Sequence, residues 1–574
     1  YDITGLMKPG RNGIGVTLAS GWWSEAQTFV VKNFNYFGDK ESLLAKVVMK
    51  YEDGSREVFG TNTEDWKYFG EGPYLFSSYF AGEQYDARRA EVYETYSLPE
   101  FDDSTWEKPV VVDTVMIEEF CTMPGFGRSW PAVHEQKPEY IGEYDAPVRI
   151  VDRRTAKTRK ELFPGVYLYD LEQEMAGVPR ITLHEKAGTK IIIRYAEVLY
   201  PDLPEYDGKE GTMMLENYRD ATSTDVYICR GGEEVFQPKF TFHGYRYIEI
   251  SGVEHAPELE EVESLQYSSV TEFHGSFTSS HKLLNRFAEN VSWSQKCNFI
   301  NIPTDCPQRD ERLGWTGDAQ VFFRTATFNR DVQTFFNKWM ADVAAEQYAD
   351  GAVNGVYPVT HRSRISAGWG DVATIIPWQH YMAYGDLRML ERQYPSMKKW
   401  VDYITSQTEN DLWSKGNSYG DWVFFSYADD KDGRSAVTIR PFIQQCFYAH
   451  SLDLVVRTAR LLGRTEDAAK YEALHKRAVD AFRNEYVTPN GMLVSDTQTA
   501  YTLALMFDLL PEAQRGGAAR RLVDNVNRYG HITTGFLGTP YICEVLTRFG
   551  YEDVAYELLL NKKIPSWLYP ISMG

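Results

Sequence analysis

Six cysteines are spread through 574 residues, as Cys121, Cys229, Cys297, Cys306, Cys446 and Cys543, with no Cys-x-x-Cys pair. Neither a zinc site nor a disulfide framework is signalled. Positive charge is also scarce. Lys and Arg number 60 against 81 Asp and Glu, a formal charge of −21. That argues against nucleic acid, whose affinity comes from neutralising phosphates, and it fits a neutral partner. No apolar run reaches the ~18 residues that a spanning helix needs, so no membrane segment is expected. A phosphate loop and a nucleophile elbow are missing as well, and no cofactor is expected. The chain opens Tyr1-Asp-Ile-Thr4, without Met or a signal-peptide pattern. The expectation is a start further upstream or a removed leader, which leaves the compartment of a soluble protein open.

Aromatic residues are abundant: 14 Trp, 38 Tyr and 31 Phe, together 14% of the chain. They bury large areas, and their faces also make platforms for the apolar faces of sugars or bases. The alternative is simply aromatic-rich cores. The length exceeds what one core normally holds, so several domains are expected.

Residues 1–140 read as all-β. Two apolar runs flank Tyr51-Glu-Asp-Gly-Ser55, where Asp53-Gly54 signals a hairpin, and turn residues recur as in a sandwich. The pattern loosens over 121–147, with several Pro and Gly, as in a linker. Residues 148–268 carry further β-branched and aromatic runs, Val166–Tyr169, Lys190–Tyr195 and Tyr245–Ile250, and predict a second β-sandwich. From 275 onward helical periodicity dominates. Ser279 and Ser280 are the expected cap of a first helix whose apolar face is Leu283, Leu284, Phe287 and Val291. The spacing predicts ten segments, near 280–296, 318–346 (broken near Asn329), 371–384, 386–408, 440–463, 465–485, 497–510, 511–528, 536–549 and 551–562. Short links at Gly385 and Gly463 alternate with long ones at 347–370 and 409–439, the pattern of stacked helical hairpins joined by functional loops. Five hairpins are expected, with Pro565–Gly574 as a loop leading toward an absent sixth, hence a chain incomplete at its C-terminus.

The chemistry concentrates in loops. Asn301–Gln320 holds Asp305, Asp310, Glu311 and Asp318, with Arg309, Arg312 and Trp315, between Pro303, Pro307, Gly314 and Gly317. Fixed and permissive φ angles make this a shaped loop rather than a helix face, although a solvated surface loop is the plain alternative. Ser366-Ala-Gly-Trp-Gly-Asp371 and Ser418-Tyr-Gly-Asp-Trp422 each add an Asp and a Trp. Acids with aromatics point to sugar chemistry, because glycoside hydrolysis needs one carboxylic acid and one further carboxylate.

Thr304-Asp-Cys-Pro-Gln-Arg-Asp-Glu-Arg-Leu-Gly-Trp-Thr-Gly-Asp318 resembles the signature of the bacterial α-L-rhamnosidases, inverting glycosidases with an (α/α)6 barrel. The resemblance covers the whole chain. Gly82-Glu-Gln-Tyr-Asp-Ala-Arg88 is similar to the family's N-terminal β domain. Asp170-Leu-Glu-Gln-Glu-Met-Ala-Gly177 is similar to its middle one, with Glu172 and Glu174 where Gly and Asn are usual. Gly368–Asp371, Gly420–Trp422 and Thr534-Gly-Phe-Leu-Gly-Thr-Pro540 follow in the family's order. The resemblance implies two β-sandwiches followed by an (α/α)6 barrel over 275–574 with its sixth hairpin missing. It also implies a bacterial protein of periplasm or cytoplasm, acting on rhamnose-containing glycosides or polysaccharides.

Position by position, it makes Glu311 the general acid. Asp305, Arg309, Trp315, Asp318, Trp369 and Trp422 match groups that hold rhamnose, a neutral sugar whose hydroxyls suit carboxylates and a guanidinium and whose methyl suits indoles. The family's base is a glutamate in a Thr-Thr-x-Trp-Glu motif, shortly after a segment like Pro565-Ser-Trp567, so it is expected beyond Gly574. Glu544 is a poor substitute. Neighbouring carboxylates would raise the Glu311 pKa and Arg309 and Arg312 would lower it. Structural alternatives stand beside these roles. Asp318 could cap the following helix, Trp369 and Trp422 could be core residues, Cys306 a packing residue, and Arg309 and above all Arg312 neutralisers of the loop. Another (α/α)6 glycosidase, or a carbohydrate-binding relative without catalysis, would carry much the same features.

Overall fold

A computed structural model describes residues 1–25, 40–112, 141–142, 144–360, 363–425 and 436–573. Most of the expected 121–147 linker lies outside them. The described residues form two compact units. One comprises Tyr1–Pro138, Ile150–Tyr267 and Cys306–Arg312, and the other Glu139–Arg149, Ser268–Asp305 and Leu313–Gly574. The first is rich in sheet and the second in helix.

The sheet unit opens with a hairpin of β1 (Lys46–Lys50) and β2 (Arg56–Gly60), turned at Gly54 with φ +84° as Asp53-Gly54 predicts. After β3 (Tyr74–Ser78), β4 (Gly82–Asp86) and the short helix α1 (Ala90–Thr95) come β5 (Arg149–Thr155), β6 (Thr158–Phe163), the twenty-residue β7 (Val166–Glu185) and β8 (Lys190–Ala196). A small ladder of β9 (Val198–Leu199) and β10 (Met213–Met214) precedes β11 (Thr224–Ile228), β12 (Gly232–Phe236), β13 (His243–Ser251) and β14 (Val262–Ser268). Ten of these strands make one sheet in the order β3-β4-β11-β8-β13-β7-β14-β5, with β6 and β12 also paired to β7.

The two regions expected as separate sandwiches share this sheet. β3 and β4 lie before residue 140, yet they join the later sheet through a parallel pairing of Gln84–Asp86 with Val226–Ile228. Asp225 Oδ1 also accepts the Glu83 backbone N–H over 2.7 Å. A strand pairing across some 140 residues leaves no mark on local spacing. Glu172, standing where the family has glycine, takes φ +54°, a conformation glycine adopts without steric cost.

The helical unit contains α2 (Lys282–Asn298), α3 (Thr316–Asn329), α4 (Gln333–Ala345), α5 (Val372–Tyr384), α6 (Leu387–Gln407), α7 (Arg440–Leu461), α8 (Thr465–Tyr486), α9 (Gln498–Met506), α10 (Glu512–Tyr529), α11 (Ile542–Arg548), α12 (Glu552–Leu560) and α13 (Leu568–Met573). The break expected near Asn329 separates α3 from α4. Gly385 ends α5 in the left-handed conformation at φ +66°, where a Cβ would be strained. Consecutive helices α5–α6, α7–α8, α9–α10 and α11–α12 pack as pairs. Two local expectations fail. The cap of α2 is His281, whose Nδ1 accepts the Leu284 N–H, while Ser279 bonds Asn285 instead. Pro565–Gly574, expected as a loop, contains α13, which packs against α2.

Candidate active site

The 304–318 loop leaves a tight ladder of Phe299–Ile300 with Ile302–Pro303, turned at Asn301 with φ +67°. Its neck is closed within the helical unit. The Asp305 N–H donates to the Leu313 carbonyl at 2.9 Å, and the Leu313 N–H donates to Asp305 Oδ1 at 3.0 Å. Asp305 therefore shapes the loop as well as being a candidate ligand of sugar hydroxyls. Gly314 and Gly317 follow because nothing larger fits. A Cβ on Gly314 would lie 2.2 Å from the Tyr357 carbonyl oxygen, and one on Gly317 would lie 2.4 Å from the Trp369 ring.

Helix α3 starts at Thr316, so Asp318 is in its first turn and not at the cap, which is Trp315. A carboxylate there still favours the positive end of the helix dipole.

Within the sheet unit, segment 306–312 places Glu311 in a buried setting, 8% exposed. Two guanidiniums meet on one of its oxygens. Arg219 Nη1 donates to Oε2 at 2.9 Å, and Arg309 Nη2 lies 3.0 Å from the same atom. Arg309 was expected from sequence and Arg219 was not. The Gln308 side chain hydrogen-bonds Glu197, and the Arg309 charge also acts on it. Burial nevertheless outweighs both and pushes the Glu197 carboxyl up to about 7.

Arg312 corrects its expected role. It does not neutralise the loop. It is fully buried and donates through Nη1 to the carbonyls of Tyr79 (2.7 Å) and Phe242 (2.9 Å), with its guanidinium 4.3 Å from the Phe242 ring centroid. Burial pushes it down to about 10.

In the helical unit the aromatic residues gather on Tyr419. Its ring centroid lies 6.1 Å from that of Trp315, 4.8 Å from Trp369 and 5.8 Å from Trp422. Arg364 stands over its face at 5.4 Å, and Phe536 stacks parallel to Trp369. Tyr419 and Phe536 sit inside the motifs read from sequence, but only the fold shows that they join the cluster. Trp369 is 3% exposed. Trp422 is 51% exposed and offers an open face.

The two aspartates beside these tryptophans turn inward. Asp371 Oδ2 accepts the Gly368 N–H, and Oδ1 accepts from Trp400 and Ser451. Asp421 receives the backbone N–H groups of Gly535, Leu537 and Gly538 and the Thr499 hydroxyl. They hold the loops in shape. The Glu544 carboxylate is paired with Arg324.

Three family models match in sequence order. They are an alpha-L-rhamnosidase N-terminal domain over 1–123, a bacterial alpha-L-rhamnosidase concanavalin-like domain over 160–268, and a bacterial alpha-L-rhamnosidase 6 hairpin glycosidase domain over 272–574. The chain is 39% identical over its whole length to an alpha-L-rhamnosidase of Formosa agariphila, covering 59% of that protein. It is 37% identical to one of Streptomyces avermitilis, covering 52%. Against the crystal structure of the Streptomyces avermitilis alpha-L-rhamnosidase complexed with L-rhamnose the TM-score is 0.84. The identity there is 36%, over 96% of this chain and 50% of that one. The chain thus spans between half and three fifths of the length of these curated relatives.

Proposed function

The chain belongs to the bacterial α-L-rhamnosidase family, and from that premise we propose that it serves hydrolysis of terminal α-L-rhamnosides with inversion, Glu311 acting as the general acid. The observation that carries this reading is the Glu311 carboxylate, buried and held at one oxygen by Arg219 and Arg309. A fixed, nearly dry acid is suited to protonating a leaving glycosidic oxygen. The electron pair of the broken C–O bond stays on that oxygen. A second carboxylate, ~6.5–9.5 Å away in inverting enzymes, activates water on the opposite face of the ring.

Asp305, Arg309 and Asp318 are assigned to the sugar hydroxyls, and Trp315 and Trp422 to its apolar face. Trp369, closed in beneath Tyr419 and Gly317, supports these rings. The paired helices α5–α6, α7–α8, α9–α10 and α11–α12 support an (α/α)6 architecture for the helical unit.

The test uses the natural gene product and a nitrophenyl α-L-rhamnoside, followed by proton NMR. Release of β-L-rhamnose first is expected, and Glu311→Gln should lower the rate by about 10²–10⁴-fold. Turnover confined to a different glycoside overturns the substrate. Sugar binding without turnover, indifferent to Glu311→Gln, supports the non-catalytic alternative.

A further inference from the structure

We propose that Arg219 is a positioning residue for Glu311, a second clamp on Oε2 that fixes the direction of the acid. The inference rests on the reading of Glu311 as general acid.

The backbone brings Arg219 to this carboxylate by constraint. It closes a short 3-10 turn, Glu216–Tyr218, at φ +58°, a left-handed conformation that non-glycine residues hold at a cost of about 1–3 kcal/mol unless their surroundings over-determine it. Two flanking residues do so. The Tyr218 hydroxyl donates to the Gly244 carbonyl at 2.6 Å from a fully buried position, and Ala221 is buried against Phe80. The turn is anchored on the sheet, and Arg219 projects from it onto Glu311.

The side chains then divide the work. The Arg309 guanidinium also acts on Glu197, so a single arginine would leave Glu311 tied to the state of a second carboxyl. Arg219 adds an N–H bond at 2.9 Å to the same Oε2. Two cations at one oxygen, one of them a hydrogen-bond donor, hold the carboxyl group in one orientation. The carboxylate formed when the leaving oxygen takes the proton already faces both. Sheet-unit groups facing it include Arg219, Arg309 and the Cys306 thiol, whose sulfur lies within 4.8 Å of a Glu311 oxygen, with Glu197 beyond Arg309.

A residue that only held the turn would affect all substrates alike. A residue that positions the acid matters most where the leaving group needs a proton. Kinetics of the gene product with Arg219→Gln and Arg219→Lys, on an alkyl α-L-rhamnoside and on 2,4-dinitrophenyl α-L-rhamnoside, separate the two. The Gln variant should lose about 10–100-fold on the alkyl substrate, the scale of a misplaced catalytic group, and only about threefold or less on the dinitrophenyl one. The Lys variant should recover part of the loss. Equal losses on both substrates overturn the proposal. A wild type that cleaves neither rhamnoside overturns the rhamnosidase reading first, and the assignment of Arg219 with it.

Discussion

Trp400 donates its indole N–H to Oδ1 of Asp371 over 3.0 Å, and both side chains are fully buried. The bond ties the Gly368–Asp371 loop to α6. The same carboxylate oxygen accepts the Ser451 hydroxyl of α7 at 2.6 Å, and the other accepts the Gly368 N–H at 2.8 Å. Burial pushes this carboxyl up, and the bonds oppose it. Asp371→Asn presents an amide N–H₂ where all the partners are donors. At least one buried donor then loses its acceptor, at about 1–3 kcal/mol. The melting transition of the helical unit should fall accordingly, and an unchanged Tm would refute this role.

Gly317 stands against the face of Trp369. A Cβ there would lie 2.4–2.6 Å from three ring atoms, and the ring is closed behind by Tyr419 and Phe536. The indole has little room to retreat. Gly317→Ala should therefore cost about 1–3 kcal/mol by overpacking and disturb the ring environment of Trp369, read as a change in near-UV circular dichroism. A variant with the wild-type spectrum and stability would show that the ring moves freely.

Local order was legible wherever the cause is local. The break after Asn329, the glycine end of α5 and the Asp53-Gly54 turn all follow from periodicity or from a single residue's φ. The loop at 304–318 was legible as a site because its charges, prolines and glycines are contiguous. What was not legible depends on partners distant in sequence. Arg219 has no motif around it, and only a turn anchored by Tyr218 aims it at Glu311. Arg312 lies among charged neighbours in sequence yet is buried against Tyr79, Phe80 and Phe242. Asp421 stands beside Trp422 in a loop motif, but its bonds go to the 535–538 backbone more than one hundred residues later.

Glu83 gives the sheet unit a pH dependence opposite to that of ordinary acid denaturation. It is 1% exposed, and Oε2 accepts the backbone N–H groups of Lys239 (3.0 Å) and Phe240 (3.1 Å). Burial, with help from the Asp225 charge and against those bonds, raises its carboxyl from 4.5 to about 7. The folded state thus holds the proton more tightly than the unfolded one. Below about pH 4.5 both states are protonated, and the contribution is fully present. Between 4.5 and 7 the unfolded chain releases its proton first, and stability drains away until the folded group also ionises. At about 1.4 kcal/mol per pH unit the loss approaches roughly 3 kcal/mol. Glu197, also raised to about 7, adds a loss of the same sign. Glu83→Gln keeps an oxygen for both N–H groups and carries no charge. Thermal melts between pH 5 and 8 should show the variant close to wild type at pH 5 and more stable at pH 8, with a shallower fall between. Parallel pH curves for the two proteins would mean that Glu83 ionises normally in the fold.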